Sequence, residues 1–149
     1  MNVCGSHLFA APREAVFRAI CDPAVLMAVI PGCESVEQVG PTEYVGRIVL
    51  RLPGAVGRYR TTVRLVDVEA PERSGLEGTV DGAMGSIRGR ADFVLRDAGG
   101  HTAIEYRGSG TIDGPHARLD SRFAERLAES LIAQGLRSLD SRLDTEVPA

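Results

Sequence analysis

The chain has 149 residues with 44% hydrophobic and 25% charged side chains, ordinary values for one folded domain with a continuous core. A net charge of -3 speaks against a general nucleic-acid binder, which carries a basic surplus, and all 17 basic residues are arginine. Cys4, Cys21 and Cys33 form no CxxC pair and are odd in number, so neither a disulfide framework nor a zinc site is expected and a reducing compartment fits best.

Residues 2–10 alternate weakly and predict a first strand. Pro12 suits a first helical turn, and Val16, Phe17 and Ile20 give a short helix its apolar face. Asp22-Pro23 repeats the signal, with Asp22 as N-cap and Pro23 as first helical residue. The second helix, Ala24 to Ile30, stops before Pro31-Gly32 and is apolar nearly all round, which predicts that it is buried or walls a cavity.

From Cys33 to Ile112 the punctuation is Gly40-Pro41, Pro53-Gly54, Pro71 with Gly75, Asp81-Gly82 and Asp97 to Gly100, which divides the segment into about six strands in series. Residues 116–143 then read as one long helix with Leu119, Phe123, Leu127, Leu131 and Leu139 near one stripe. Such a helix, ~42 Å long, has to lie across the whole sheet. The expected fold is α+β of the helix-grip type, order β-α-α-β6-α: a curved antiparallel sheet of about seven strands around a long C-terminal helix, in a single domain spanning 1–149.

Four-residue loops at Pro53–Val56 and Asp97–Gly100 would pair Leu50 with Tyr59 and Ile48 with Thr61, and Phe93 with Ile104 and Ala91 with Tyr106. Both registers collect apolar side chains on one face. On that face glycines 46, 78, 89, 108 and 110 fall among Ile48, Leu50, Tyr59, Leu76, Val80, Phe93, Ile104 and Tyr106. Missing side chains leave space beneath the helix, the setting of an apolar ligand site with a few polar tips, for which Tyr44, Tyr59, Thr61 and Tyr106 are available. Alternatively, the glycines mark bends or let the helix approach closely. The opposite face gathers Arg47, Arg51, Arg58, Arg60 and Arg64 with no acid between Glu43 and Asp67. Arg51 is expected opposite Arg58, a like-charge pair that an acidic partner or an anionic surface would relieve.

Catalytic signatures are missing. His7, His101 and His116 lie in different elements, and no HxxxH, GxSxG or P-loop pattern occurs. Gly82 to Gly85 lie between strands rather than at a helix start, and no histidine is placed to activate Cys33. We expect no catalytic residue, no metal and no cofactor. The N-terminus lacks a secretory pattern and no apolar run approaches a bilayer span, so a cytoplasmic protein is expected, with any membrane contact peripheral to the inner face.

Asp22-Pro23, Leu26 and Ile30-Pro31-Gly32-Cys33-Glu34-Ser35, together with Gly54 to Tyr59, the glycine-spaced stretch from Gly82 to Ala91 and Gly110 to Gly114, carry a resemblance. The chain resembles the carbon monoxide dehydrogenase G-subunit family, within the START/Bet v 1-like SRPBCC superfamily. That resemblance implies a hydrophobic cavity between sheet and helix. It also implies a role beside a carbon monoxide dehydrogenase-type molybdenum hydroxylase, in membrane recruitment or in handling a lipophilic electron acceptor such as a quinone. It carries over no catalytic residue. The chain ends just past the helix, without the extended tail of some members, which puts autonomous anchoring in doubt. The expected ligand contacts are Leu26, Met27 and Ile30 on one wall, Tyr59, Met84, Phe93 and Tyr106 on the sheet, and Phe123, Leu127 and Leu131 on the helix. The rival readings are a protein–protein adaptor without ligand, docking through the arginine face, and a cyclase- or hydratase-like enzyme using tyrosines and Asp67.

Overall fold

A computed structural model describes residues 1–52, 55–83, 85–114 and 121–146. The element order is β1 (Asn2–Phe9), α1 (Arg13–Ile20), α2 (Pro23–Val29), β2 (Cys33–Gly40), β3 (Glu43–Leu52), β4 (Ala55–Glu69), β5 (Arg73–Gly82), β6 (Gly85–Ala98), β7 (His101–Asp113) and α3 (Ser121–Glu146). The strands form one seven-stranded antiparallel sheet in the order β1-β7-β6-β5-β4-β3-β2. This is the helix-grip arrangement: the serial hairpins build a meander, and β1 closes onto β7 because the two short helices carry the chain away before β2 begins.

Local chemistry accounts for the boundaries. The Asp22 carboxylate accepts a hydrogen bond from the Ala24 N–H at 2.9 Å, capping α2 with Pro23 in its first turn. Pro31 cannot continue the helix, and Gly32 follows at φ +74° with its carbonyl accepting from the Val49 N–H at 2.8 Å. A side chain at Gly32 would collide with the Val49 carbonyl. The Pro-Gly-Cys motif is therefore the joint that docks the end of α2 onto β3.

Both hairpin registers differ from expectation by two residues. Ile48 pairs with Tyr59 and Leu50 with Gly57, while Phe93 pairs with Tyr106 and Leu95 with Ile104. The β6–β7 strands run on to Ala98 and His101, leaving Gly99-Gly100 as a two-residue loop with φ of 67° and 87°. Two consecutive positive φ values suit a tight hairpin and need glycine, so the turn closes earlier than a four-residue loop would. A two-residue shift keeps every side chain on its expected face. It also separates Arg51 from Arg58, which stand opposite Val56 and Val49, and places Arg47 opposite Arg60 instead.

The core lies at one end of the molecule. Phe9, Val16, Phe17, Val25, Val29, Phe93, Leu95 and Ile104 pack there with Leu139 and Leu143 from the C-terminal part of α3. Phe17 and Phe93 meet with ring centroids 6.1 Å apart. The N-terminal part of α3 buries Ala124 but leaves Phe123, Leu127 and Leu131 half-buried.

Candidate functional site

Helix α3 spans ~39 Å and is fixed along the free edge of β1. Glu125 Oε1 accepts the Asn2 N–H at 2.9 Å, Glu129 Oε2 the Cys4 N–H at 3.1 Å, and Asp140 Oδ1 the Ala10 N–H at 3.1 Å. Asp140 Oδ2 also lies 2.9 Å from His7 Nε2. Strand residues two apart repeat at ~6.7 Å and helix residues four apart at ~6 Å. The two rows of groups therefore match. These carboxylates satisfy edge donors that would otherwise face water, and they set how far the helix stands from the sheet.

Under this clamp the inner face of the sheet is incompletely covered. Ile48, Leu50, Val63, Leu76, Val80, Ile87 and Ile112 are half-buried, as are Phe123, Leu127 and Leu131 on the facing side of α3. Leu127 and Leu131 meet Pro31, Gly32, Cys33 and Leu50 around a recess of about 420 Å³. The recess opens where α2 hands over to β2, with Arg51 on its border.

Glycines shape this face in two ways. Gly78, Gly89 and Gly110 are consecutive cross-strand partners, and a Cβ on any of them would come within 3.0 Å of a neighbouring strand's carbonyl oxygen. No atom of α1, α2 or α3 is among the nearest neighbours of those added carbons, so the strip bends the sheet rather than seating the helix. Gly5, Gly57 and Gly82 serve differently, as beds for tyrosine rings. An added Cβ would lie 2.5 Å from the Tyr106 hydroxyl at Gly5, and 3.0 and 2.5 Å from the Tyr59 ring at Gly57 and Gly82.

The expected ligand contacts separate into groups. Leu127 and Leu131 border the recess, and Phe123 lies one turn earlier on α3. Leu26 is half-buried, whereas Met27 and Ile30 are 47% and 37% exposed, so α2 buries only Val25 and Val29 and turns an apolar lip to the outside. Of the two expectations for this helix, burial or the wall of a cavity, full burial does not hold. Tyr59 and Phe93 are buried, Phe93 within the main core. Tyr106 stays half-buried, and Met84 lies outside the described residues.

Of the polar groups, the Tyr44 hydroxyl donates to the Cys21 carbonyl at 2.8 Å and is taken up in joining β3 to the end of α1. Burial raises the Tyr44, Tyr59 and Tyr106 phenols above their ordinary range, and the Glu129 carboxylate adds to the effect at Tyr106. Thr61 Oγ1 is buried on the inner face without a hydrogen-bond partner among the described residues. Asp67, considered as an internal acid, lies instead on the outer side, paired with Arg90 at 3.2 Å and 80% exposed. The clamp of α3 onto β1 was not foreseeable from the sequence, because its partners are 123 to 133 residues apart. The only trace of it is the placement of Glu125, Glu129 and Asp140 on the helix.

The arginines Arg47, Arg51, Arg58, Arg60 and Arg64 share the outer face and are exposed. Arg58 reaches Glu34 at 3.4 Å and Arg64 reaches Glu77 at 2.9 Å.

A long helix gripped by a curved antiparallel sheet, with a partly empty inner face, defines the helix-grip fold. Residues 5–144 match the model of the carbon monoxide dehydrogenase G-subunit family (CoxG), and the chain belongs to that family. Among solved structures it is similar to a conserved protein from Geobacillus kaustophilus, with TM-score 0.91 and 22% identity over 97% of this chain and 96% of the other. It is also similar to a START superfamily protein from Mycobacterium smegmatis, with TM-score 0.75 and 12% identity over 98% and 99%. A third is the Zhui aromatase/cyclase from Streptomyces sp. R1128, with TM-score 0.71 and 14% identity over 100% and 96%. At these identities the likeness concerns the fold. No curated protein matches the sequence.

Proposed function

We propose that this protein holds a hydrophobic small molecule, a quinone or another lipid, between the N-terminal half of α3 and the sheet. It does so as an accessory of a carbon monoxide dehydrogenase-type molybdenum hydroxylase, on the cytoplasmic side of the membrane. The observation that carries this reading is the asymmetry of packing. Leu139 and Leu143 complete a closed core, while Leu127 and Leu131, on the same helix, border a recess of about 420 Å³ in which Pro31, Leu50 and the two leucines meet Cys33 and Arg51. Apolar walls with few polar groups are the usual make-up of a small-molecule site. In this reading Leu127, Leu131, Phe123 and Leu26 touch the guest, and Met27 and Ile30 form the lip. Tyr59 makes the floor and Tyr106 offers a polar tip, while Phe93 belongs to the closed core beside the site. An isoprenoid chain burying ~400 Å² would gain ~10 kcal/mol before the cost of its lost freedom.

The family's name supports the hydroxylase link. No helix among the described residues is long and apolar enough to cross a membrane. An enzymatic reading has less behind it, since Asp67 faces outward in an ion pair.

The test is titration with a short-chain quinone, followed by native mass spectrometry and melting temperature. The wild-type chain should form a complex of defined mass and melt higher. Leu127→Trp, which fills the recess, should fold and melt normally yet lose at least about tenfold in affinity. Equal binding by the two proteins, or no retention of any lipid by the wild type, would overturn the proposal.

A further inference from the structure

The outer face of the sheet carries a second arrangement, independent of any guest under α3. Arg47 on β3 and Arg60 on β4 are direct cross-strand partners, both exposed, and neither has an ion pair among the described residues. Like charges placed directly opposite destabilise a sheet, and a bound carboxylate would relieve this pair. At the next position of β4 on this face, Arg58 is 82% exposed and only loosely engaged with Glu34. Arg47, Arg58 and Arg60 surround a recess of about 420 Å³, with Glu34 and Asp81 at its rim.

At the far end of β4 the same face is neutralised. Arg64 and Arg90 share Glu77, and Arg90 also meets Asp67 and Asp92. Around the recess, Asp81 stands directly opposite Arg60 on β5, so the three arginines there meet two acids and keep one positive charge in excess, whereas the far end is closed by a connected ion-pair network.

We propose that the recess around Arg47, Arg58 and Arg60 docks an acidic segment of a partner protein, with carboxylates bridging Arg47 and Arg60. Guanidinium forks match carboxylates in geometry as well as charge. A lipid surface fits less well on two counts. The rim acids Glu34 and Asp81 repel a flat anionic sheet of headgroups while leaving room for separate carboxylates. Furthermore, among the residues whose burial is described, the exposed large apolar side chains are Leu8, Met27, Ile30, Val39 and Val68, all outside Glu43–Arg51 and Arg58–Arg60, whereas interfacial sites combine basic and apolar residues.

The experiment measures fluorescence anisotropy of a labelled deca-glutamate peptide at low salt, together with melting temperature, for the full chain and three variants. The wild type should bind in a manner weakened by added salt. Arg60→Glu should lose at least about tenfold in affinity, with the melting temperature showing that it folds, since the new carboxylate faces Arg47 on one side and Asp81 on the other. Arg60→Gln should also lose affinity, which keeps the test valid if Arg60→Glu does not fold. Arg137→Glu makes the same change in net charge on α3 and should bind as the wild type does. The proposal is overturned if the wild type does not bind, if Arg60→Glu binds undiminished, or if Arg137→Glu loses as much. It also fails if the protein instead sediments with phosphatidylglycerol vesicles in an Arg60-dependent way without binding the peptide.

Discussion

Thr61 shows how much one atom contributes to the character of this face. Its hydroxyl is buried beside the glycine-bent part of the sheet and finds no partner among the described residues. A buried polar group left unpaired costs roughly 1–3 kcal/mol. Replacement by valine keeps the branched shape and removes the cost. Thr61→Val should therefore raise stability by about 1 kcal/mol, visible as a shift of the urea midpoint with an unchanged slope. If the guest carries a carbonyl that turns this hydroxyl toward itself, the same variant should bind the quinone more weakly. Sequence analysis singled out Thr61 as an inward polar group, since strand alternation fixes the face. It could not show that the hydroxyl lacks a partner, because that depends on three neighbouring strands at once.

Among the elements, the joint from α2 to β2 makes the sharpest demand on residue type. Gly32 combines φ +74° with direct contact on the Val49 carbonyl. Alanine there should cost about 2 kcal/mol or more, from the strained backbone and the displaced strand. Thermal unfolding of Gly32→Ala would measure it, and a loss well below about 1 kcal/mol would show that the joint is not rigid. The order of the elements was legible because every boundary carries its own chemistry, Asp22-Pro23 at one helix start and Pro31-Gly32 at its end. Register was legible only to within a two-residue step. Alternation determines which face a side chain occupies but not where a turn closes, and Gly99-Gly100 close it early. The outward lip of α2 was hidden for a related reason. Met27 and Ile30 are as apolar as Val25 and Val29, so composition alone could not reveal which pair meets the core.

On the scale of the whole molecule, all three tyrosines lie on the inner face, in β3, β4 and β7, and burial raises each phenol above its ordinary value. A raised folded value means that the native state holds its protons longer than the unfolded chain. The corresponding stability is intact below about pH 10 and is lost as pH climbs through the native values. The protein should therefore show alkaline unfolding. Absorbance in the phenolate band should rise together with the loss of sheet signal, whereas a well-separated, earlier phenolate rise would contradict the burial. Thus the face that offers space near α3 is closed to water around Tyr44 and Tyr59, the two buried phenols.

The row of carboxylates from α3 along β1 has a further consequence for how copies of this protein meet. One border of the sheet is sealed by Glu125, Glu129 and Asp140, and among the described residues β2 is the border left without a neighbour. Strand addition can then proceed from one side only. Two copies joined through β2 would each spend their sole open margin, so such pairing terminates at a dimer and cannot propagate into a ribbon.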